Sequence, residues 1–390
     1  MPTLESEVFK FSKIPEVELT EFEVQKSVGK TSLTEIEKLL AQLNYSPIQE
    51  LIDIGAVVVI TSDGKVSDII DRSNSTIVCQ SSAGSLPIDV TDKRLEETAS
   101  YFDLLHGSLI EDLLYVSCPK NSNIDKPVVI VHLVRAEKSF IAPLVVVKAG
   151  ENSAIRVCEV FISEVNDSFV IPVTLINLEK SSRVSHFRYQ LLSLQNIFVA
   201  LQLSEQDENS QLSSLYLSVG SKIGRMRIDS VLNGAGSEAR LASVGHGRFD
   251  QKLDLRTKQD HIGQRSISRM TSAIVLGGNA ESVTTGLVKM RKGAKRSEAI
   301  QSNKNLLVSS GANAESVPNL DILENDVRCD HASSVGPIDL DQVHYLESRG
   351  VETRTAKKLI IKGFLNSTLE SLPSSSETRV AGALIQGLPD

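Results

Sequence analysis

Apolar positions along the chain follow two periods, and the change from one to the other divides it. Between Thr31 and Leu43, Leu33, Ile36, Leu39, Leu40 and Leu43 recur three and four apart and build one stripe of a helix. Ser46-Pro47 ends that helix, because the residue before a proline is pushed out of helical geometry. Ile48 to Ile60 reads as a short apolar segment, Thr61 to Gly64 as a turn whose Asp63-Gly64 suits a hairpin, and Asp89 to His106 as a second helix.

After that, short apolar runs dominate. Leu113–Ser117, Val128–Val134, Leu144–Lys148, Ile155–Ile162 and Val170–Leu178 read as strands, although Arg156 and Glu159 interrupt the fourth. Ser182 to Leu203 fits either a strand pair or a short helix. Glu205 to Ser214 is polar enough for an exposed corner, and Leu215, Leu217, Val219 and Ile223 resume the strand pattern. Helical spacing returns at Leu340, Val343, Tyr345 and Leu346, with Asp339 as the start and Arg349-Gly350 as the end. Val351–Phe364 predicts a second helix and Asn366–Leu372 a third, broken by Pro373; Glu377–Asp390 has no clear pattern. The chain thus divides into a mixed α/β region (1–110), a β core (111–335) and a helical region (336–390).

Within the β core, Asn279-Ala280-Glu281-Ser282-Val283 recurs as Asn313-Ala314-Glu315-Ser316-Val317, 34 positions later, with Gly293-Ala294-Lys295 as a weaker echo between. Two coils of a solenoid, each of about seventeen residues with a glycine-bearing turn and a short strand, would give that spacing. Gly220, Gly234-Ala235-Gly236 and Gly245-His246-Gly247 supply further corners. A parallel β-solenoid is the reading, with a β-sandwich or barrel as the alternative. No coil is stable alone, so the two flanking regions are expected to cover the two ends.

Composition narrows the function. Aromatics make up 4% of the 390 residues and tryptophan is absent, which fits a narrow aliphatic core. A net charge of −8 argues against a nucleic-acid binder, and Lys289, Arg291, Lys292, Lys295 and Arg296 have no aromatic residue among them to stack bases. That cluster reads as a solvated coil edge or a contact for an acidic protein. The start, MPTLESEV, has no charged apolar leader and no apolar run reaches about 18 residues, so a soluble protein of a reducing compartment is expected, cytoplasmic or in the plastid stroma after removal of a transit peptide.

Cys79, Cys118, Cys158 and Cys329 are scattered, with no CxxC pair, and the first three read as structural. Walker, GxSxG and HExxH motifs are absent. Cys329-Asp330-His331 is the densest ligand group. A thiolate and an imidazole two positions apart share one side of a strand while Asp330 points away, and both suit a borderline metal such as iron. Two ligands do not close a site, so a neighbouring strand, water, sulfide or another chain must complete it. His246, between two glycines, is a second candidate. Asp260-His261 is a weak one, since neighbours on a strand point oppositely, and Asp250, Asp254 and Asp260 could serve a carbohydrate-processing enzyme only if a groove brought them together.

The run Asp326-Val327-Arg328-Cys329-Asp330-His331, then Val335-Gly336, Asp339 and Asp341-Gln342-Val343-His344-Tyr345-Leu346-Glu347-Ser348-Arg349-Gly350, resembles the SufB/SufD family of iron–sulfur assembly scaffolds, with its cysteine–histidine segment followed by a YLxSRG helix. Gln301–Leu307 and Pro318–Ile322 fit the same pattern. The family's usual glycine after the histidine is replaced here by Ala332-Ser333-Ser334. The chain's modest length puts the likeness on the SufD side of the family, with a SufB-like scaffold as the alternative. The resemblance implies a right-handed parallel β-helix between a small N-terminal mixed domain and a C-terminal helical domain. It also implies a non-enzymatic subunit working with SufB, two copies of the ATPase SufC and, indirectly, sulfur-donor machinery. Cys329 and His331 would handle transient iron or a nascent iron–sulfur cluster at the SufB-facing edge, with no tightly bound cofactor in the isolated chain. Asp341, Tyr345, Leu346, Arg349, Gly350, Lys357 and Lys358 would dock SufC. A stand-alone β-helix enzyme and a purely structural adaptor are the competing readings.

Overall fold

The computed structural model describes residues 19–24, 29–73, 78–81 and 101–388. Its centre is a parallel β-solenoid made of two facing sheets. From Leu113 onward the chain alternates between them, placing one strand in each sheet per turn. Sheet A runs from Leu113–Cys118 through Leu144–Ala149, Val173–Leu178, Ile197–Gln206, Ile223–Leu232, Lys252–His261 and Glu281–Met290 to Asn313–Ile322. Sheet B runs from Val128–Val134 through Ala154–Ser163, Arg183–Gln190, Gln211–Ser218, Glu238–Gly247, Ile267–Leu276 and Ser297–Leu307 to Val327–Pro337.

The repeat marks this fold but with a different coil. Ile197 pairs with Ile223 and Glu281 with Asn313, so one turn takes between 26 and 32 residues and holds two strands. The 34-residue recurrence spans one turn plus a slip of two residues, because Glu281 faces Asn313 instead of Glu315. Ser182–Leu203 resolves into parts of two strands. Glu205–Ser214 is mostly strand, with only residues 207–210 turning.

The corners have a marker that glycine counting overlooks. Asn121, Asn152, Ser181, Asn209, Gly236, Arg265 and Arg296 follow one another on successive turns, all with positive φ. Each donates its backbone N–H to a carbonyl of the next turn, as from Asn152 to Lys180 (2.9 Å), Asn209 to Ala235 (3.0 Å) and Arg265 to Lys295 (2.9 Å). Asparagine tolerates the left-handed region better than most residues, which accounts for its three places in this stack.

Inside, alternation places every second side chain between the sheets. Glu281–Met290 buries alternate residues throughout its length. The early turns are filled by aliphatic and aromatic groups such as Val128, Ile155, Phe161, Val184 and Phe198. Later turns carry amides and hydroxyls: Ser272 donates to Asn303 (2.7 Å), Asn303 to Ser316 (2.9 Å), and His261 bonds Ser266 and Ser268 (2.7 Å each). The interior is therefore not a uniform aliphatic ladder.

The N-terminal flank adds strands to both sheets at the first end, as expected, but the helices of both flanks lie along a side and the C-terminal end stays open, contrary to the expectation of a cover there. Helices α1 (Leu33–Gln42) and α2 (Ser46–Ile54) pack their Ile36, Leu40, Ile48 and Ile52 onto the outer face of sheet B. Ser32 caps α1 through a reciprocal capping box with Glu35. Pro47 does not end α1, which stops at its Leu43 cap before Asn44 (φ 58°); it sits in the first turn of α2, where its missing N–H costs no helical bond. The hairpin Val57–Ser62/Lys65–Asp71, turning at Asp63-Gly64, extends sheet B, and Val78–Ser81 pairs antiparallel with Leu113–Cys118 in sheet A. Of the helix expected over Asp89–His106, residues 89–100 lie outside the described residues, and α3 runs Tyr101–Leu109.

Leaving the last strand, the chain turns back along the same outer face. Helix α4 (Leu340–Ser348) begins at the Asp339 cap and ends near Gly350. Helix α5 (Thr353–Leu369) is one continuous helix where two were expected. The unpatterned tail forms α6 (Ser376–Gln386), started by a Ser375–Thr378 capping box, and buries Val380, Ala381, Leu384 and Ile385. The two flanks meet: Arg379 of α6 pairs with Glu50 of α2 at 2.6 Å. Among the described residues no helix is long and apolar enough to cross a membrane.

Candidate functional site

The solenoid stops with two strands that have no neighbour on one side among the described residues, Asn313–Ile322 in sheet A and Val327–Pro337 in sheet B. Such an edge presents unpaired backbone N–H and C=O groups and is a template for another strand. Leu320, Ile322, Leu323 and Val335 are exposed along it.

Cys329 and His331 stand on the sheet B edge, and register gives their direction. Cys329 lies over Ala299, then Ser268, Ala239, Leu212 and Val184 on preceding turns. His331 lies over Gln301, then Met270, Leu241, Ser214 and His186. Every residue below them is buried in the solenoid. Cys329 and His331 therefore continue interior columns, and His331 is exposed because no further turn covers it. Cys329 is half-buried, packing with Val327 against Val288, Met290 and Ala299. Asp330 points outward to Arg328 (3.0 Å), as strand alternation requires. The Ala332-Ser333-Ser334 segment forms no corner; the strand runs straight through it.

Burial, reinforced by the Asp330 charge, pushes the Cys329 thiol above its ordinary pKa. In the isolated chain it is a protonated thiol, and a metal or a cationic partner would have to draw off the proton. Among the described residues no three His, Cys, Asp or Glu side chains gather into a metal-holding group. A thiol and an imidazole are two donors, too few by themselves to close a metal site.

The other sequence candidates separate. His246 is buried on the strand Glu238–Gly247, where it pairs with Val275, so Gly245-His246-Gly247 is strand and not the corner its glycines suggested. Asp260 faces outward to Arg291 (2.9 Å) while His261 faces inward, so they form no acid–base pair. Lys289 and Arg296 are paired with Asp321 (3.0 Å) and Asp326 (3.8 Å), which makes the basic cluster part of a charged coil edge. Cys118 and Cys158 are buried thiols with raised pKa values, burial being the main cause. The side chain of Cys79 lies outside the described residues.

The proposed docking residues fall into two groups. On α4, Asp341, Tyr345 and Arg349 are exposed, with the Arg349 guanidinium 5.4 Å from the Tyr345 ring centre; Leu346 is half-buried, and Gly350 (φ 84°) closes the helix. Lys357 and Lys358 on α5 line a cleft against the solenoid.

One buried cluster was missed. Glu159 Oε1 accepts hydrogen bonds from His186 Nε2 (2.6 Å), Arg188 Nη2 (2.9 Å) and Thr174 Oγ1 (2.7 Å), and Oε2 accepts from His132 Nε2 (3.2 Å). Thr61 Oγ1 completes His132 at Nδ1 (2.8 Å). Burial alone would raise the Glu159 pKa, but the Arg188 charge and the bonds from both histidines hold it well below the carboxylate range. Burial lowers His132, partly offset by Glu159. The signal was visible: Glu159 shares strand parity with Ile155 and Val157, so a charge at that position had to be buried and paired.

Comparison with known proteins now bears on this architecture. The domain described as "SUF system FeS cluster assembly, SufBD core domain" matches residues 132–364, more than half of the chain. The chain belongs to the SufBD family. It is 25% identical over 78% of its length to Protein ABCI7, chloroplastic, of Arabidopsis thaliana, covering 67% of that protein. It is 28% identical over 69% of its length to iron-sulfur cluster assembly protein SufD of Bacillus subtilis and 25% identical over 75% to that of Escherichia coli, covering 62% and 70% of those proteins. The family-level role in SUF iron–sulfur cluster assembly and the β-solenoid scaffold go together here, with the matched domain running from the early turns through the open edge into α5.

Proposed function

We propose that this chain is the SufD-like subunit of an iron–sulfur assembly complex. In this reading its open edge pairs with the solenoid of a SufB-like chain, and its C-terminal helices engage the ATPase SufC, two copies per complex. The observation that carries the reading is the uncovered last turn, which leaves Cys329 and His331 at interior positions with no turn over them. A second solenoid docked on that edge would enclose both residues and add ligands of its own. Iron or a nascent cluster is then cargo held between two chains. Cys329 supplies a thiolate once deprotonated, and His331 an imidazole nitrogen. ATP hydrolysis belongs to SufC, whose two nucleotide states would have to differ in affinity for open and closed forms of the edge.

The test is co-expression with SufB and SufC, followed by complex mass and anaerobic iron and sulfide analysis, for the wild type and for Cys329→Ala and His331→Ala. A complex that assembles but fails to build cluster in either variant supports metal handling at the edge. Clusters formed normally in both variants would leave a structural adaptor, and no complex at all would overturn the SufD-like reading.

A further inference from the structure

A cleft of about 370 Å³ lies between α5 and the corner of the solenoid that carries Phe249. It is separate from the open edge, and its lining is one-sided in charge. Arg248, Arg354, Lys357, Lys358 and Lys362 contribute five cations, Lys362 also donating to the Gln386 carbonyl, and among the described residues no Asp or Glu lines the cleft. The apolar part of the wall comes from Val308, Ile338 and Ile361.

Two features at the corner point to an occupant. Phe249 lies 62% exposed, with the Arg248 guanidinium 5.7 Å from its ring centre. A phenylalanine with an exposed ring, stacked against a cation beside other cations, is a surface for a flat aromatic group. Behind it, His246 lines the cleft at only 5% exposure, and its Nδ1 has no hydrogen-bond partner. Arg248 Nε is likewise buried and unpartnered. Buried polar atoms in folded proteins are normally satisfied, so two orphans in one cleft call for a ligand that supplies partners. Burial lowers the His246 pKa to about 4, so at neutral pH the imidazole adds no charge and offers one donor and one acceptor.

We propose that this cleft binds a mononucleotide-type ligand, a planar heteroaromatic ring on a phosphate. The ring lies on Phe249 with its polar edge toward His246, and the phosphate sits among Arg248, Lys357 and their cationic neighbours. The volume is in the range of small-ligand sites, at its lower end, which suits a mononucleotide better than a dinucleotide. Ligand binding here needs neither SufB nor SufC, although Lys357 and Lys358 are shared with the SufC-docking set that the family resemblance implies, so a docked SufC would compete for them.

The test uses the full chain and AMP, with adenosine and inorganic phosphate as controls, read by isothermal titration calorimetry. AMP is expected to bind saturably at one site, more tightly than either control. Phe249→Ala is expected to weaken AMP about tenfold, on the scale of one lost base–aromatic stack, while leaving phosphate binding unchanged. Lys357→Glu is expected to weaken AMP and phosphate together. Circular dichroism and melting curves of both variants verify that they fold. Equal affinity for AMP and phosphate would reduce the cleft to an anion site and overturn the proposal. So would the absence of AMP binding at millimolar concentration, or AMP affinity unchanged in folded Phe249→Ala.

Discussion

His186 and His331 occupy the same interior column, five turns apart, and differ in everything else. His186 is fully buried, bonded to Glu159 in a cluster that includes Arg188, His132 and Thr174. His331 is exposed at the end of the stack over Gln301. The fold gives both positions the same direction; only the presence or absence of a covering turn decides whether the imidazole is part of the scaffold or available to something outside it. A polar residue in the middle of the column must find its partners within the chain. One at the end can wait for them.

The widest gap between the two ends should appear in stability. Glu159→Ala leaves Arg188 buried without its carboxylate and is expected to cost about 3–5 kcal/mol in urea unfolding. A loss below about 1 kcal/mol would mean that the cluster is already solvated. Acid should reveal the scaffold side next. Burial lowers the pKa values of His106, His246 and His261 from 6.5 to about 4, so the unfolded chain takes up protons that the folded one refuses. Their contribution is complete above about pH 6.5 and is lost as pH falls toward 4, on the order of 1–3 kcal/mol each. The depressed Glu159 carboxyl adds its own loss only below about pH 4. Urea midpoints at pH 7.5, 5.5 and 4.5 check this, and His106→Gln should flatten the slope between the first two. An unchanged slope would show that His106 is not the group taking up protons.

Smaller again is the seam between the solenoid and its C-terminal helices. Tyr189 donates its hydroxyl to the Glu377 carbonyl at 2.7 Å. Tyr189→Phe keeps the packing and should cost about 1 kcal/mol, seen as faster proteolysis near α6. The smallest effect belongs to the open end. Cys329→Ala and His331→Ala should each change unfolding by less than about 0.5 kcal/mol, because neither side chain satisfies a buried group of this chain. If either cost as much as Glu159→Ala, the end would be as structural as the middle.

Much of this was readable in the residues. The strands from Val128 on, the hairpin at Asp63-Gly64 and the Asp339 cap follow from alternation, turn chemistry and capping, which are local. The coil length was not. The Asn279–Val283 repeat is displaced by two residues from the pairing, since corners of different length absorb insertions that strands cannot. Helix α2 was hidden because Ser46-Pro47 was weighed as a stop and not as a start, and α6 because its buried apolar stripe is only four residues, Val380, Ala381, Leu384 and Ile385. The direction of Cys329 and His331 followed from their spacing. Their place at an uncovered end, and the placing of the helices along a flank, depend on contacts hundreds of residues apart, such as Arg379 with Glu50.

The open edge also carries a proline. Pro318 stands in the middle of the last strand of sheet A, opposite Gly286. A chain that bares strands of ten and eleven residues would tend to polymerise end to end with its own copies. Proline has no N–H to offer a ladder and is kept to edges for that reason. The edge can therefore accept only a strand shaped to tolerate a missing bond at that point, which makes Pro318 a gatekeeper against indiscriminate growth.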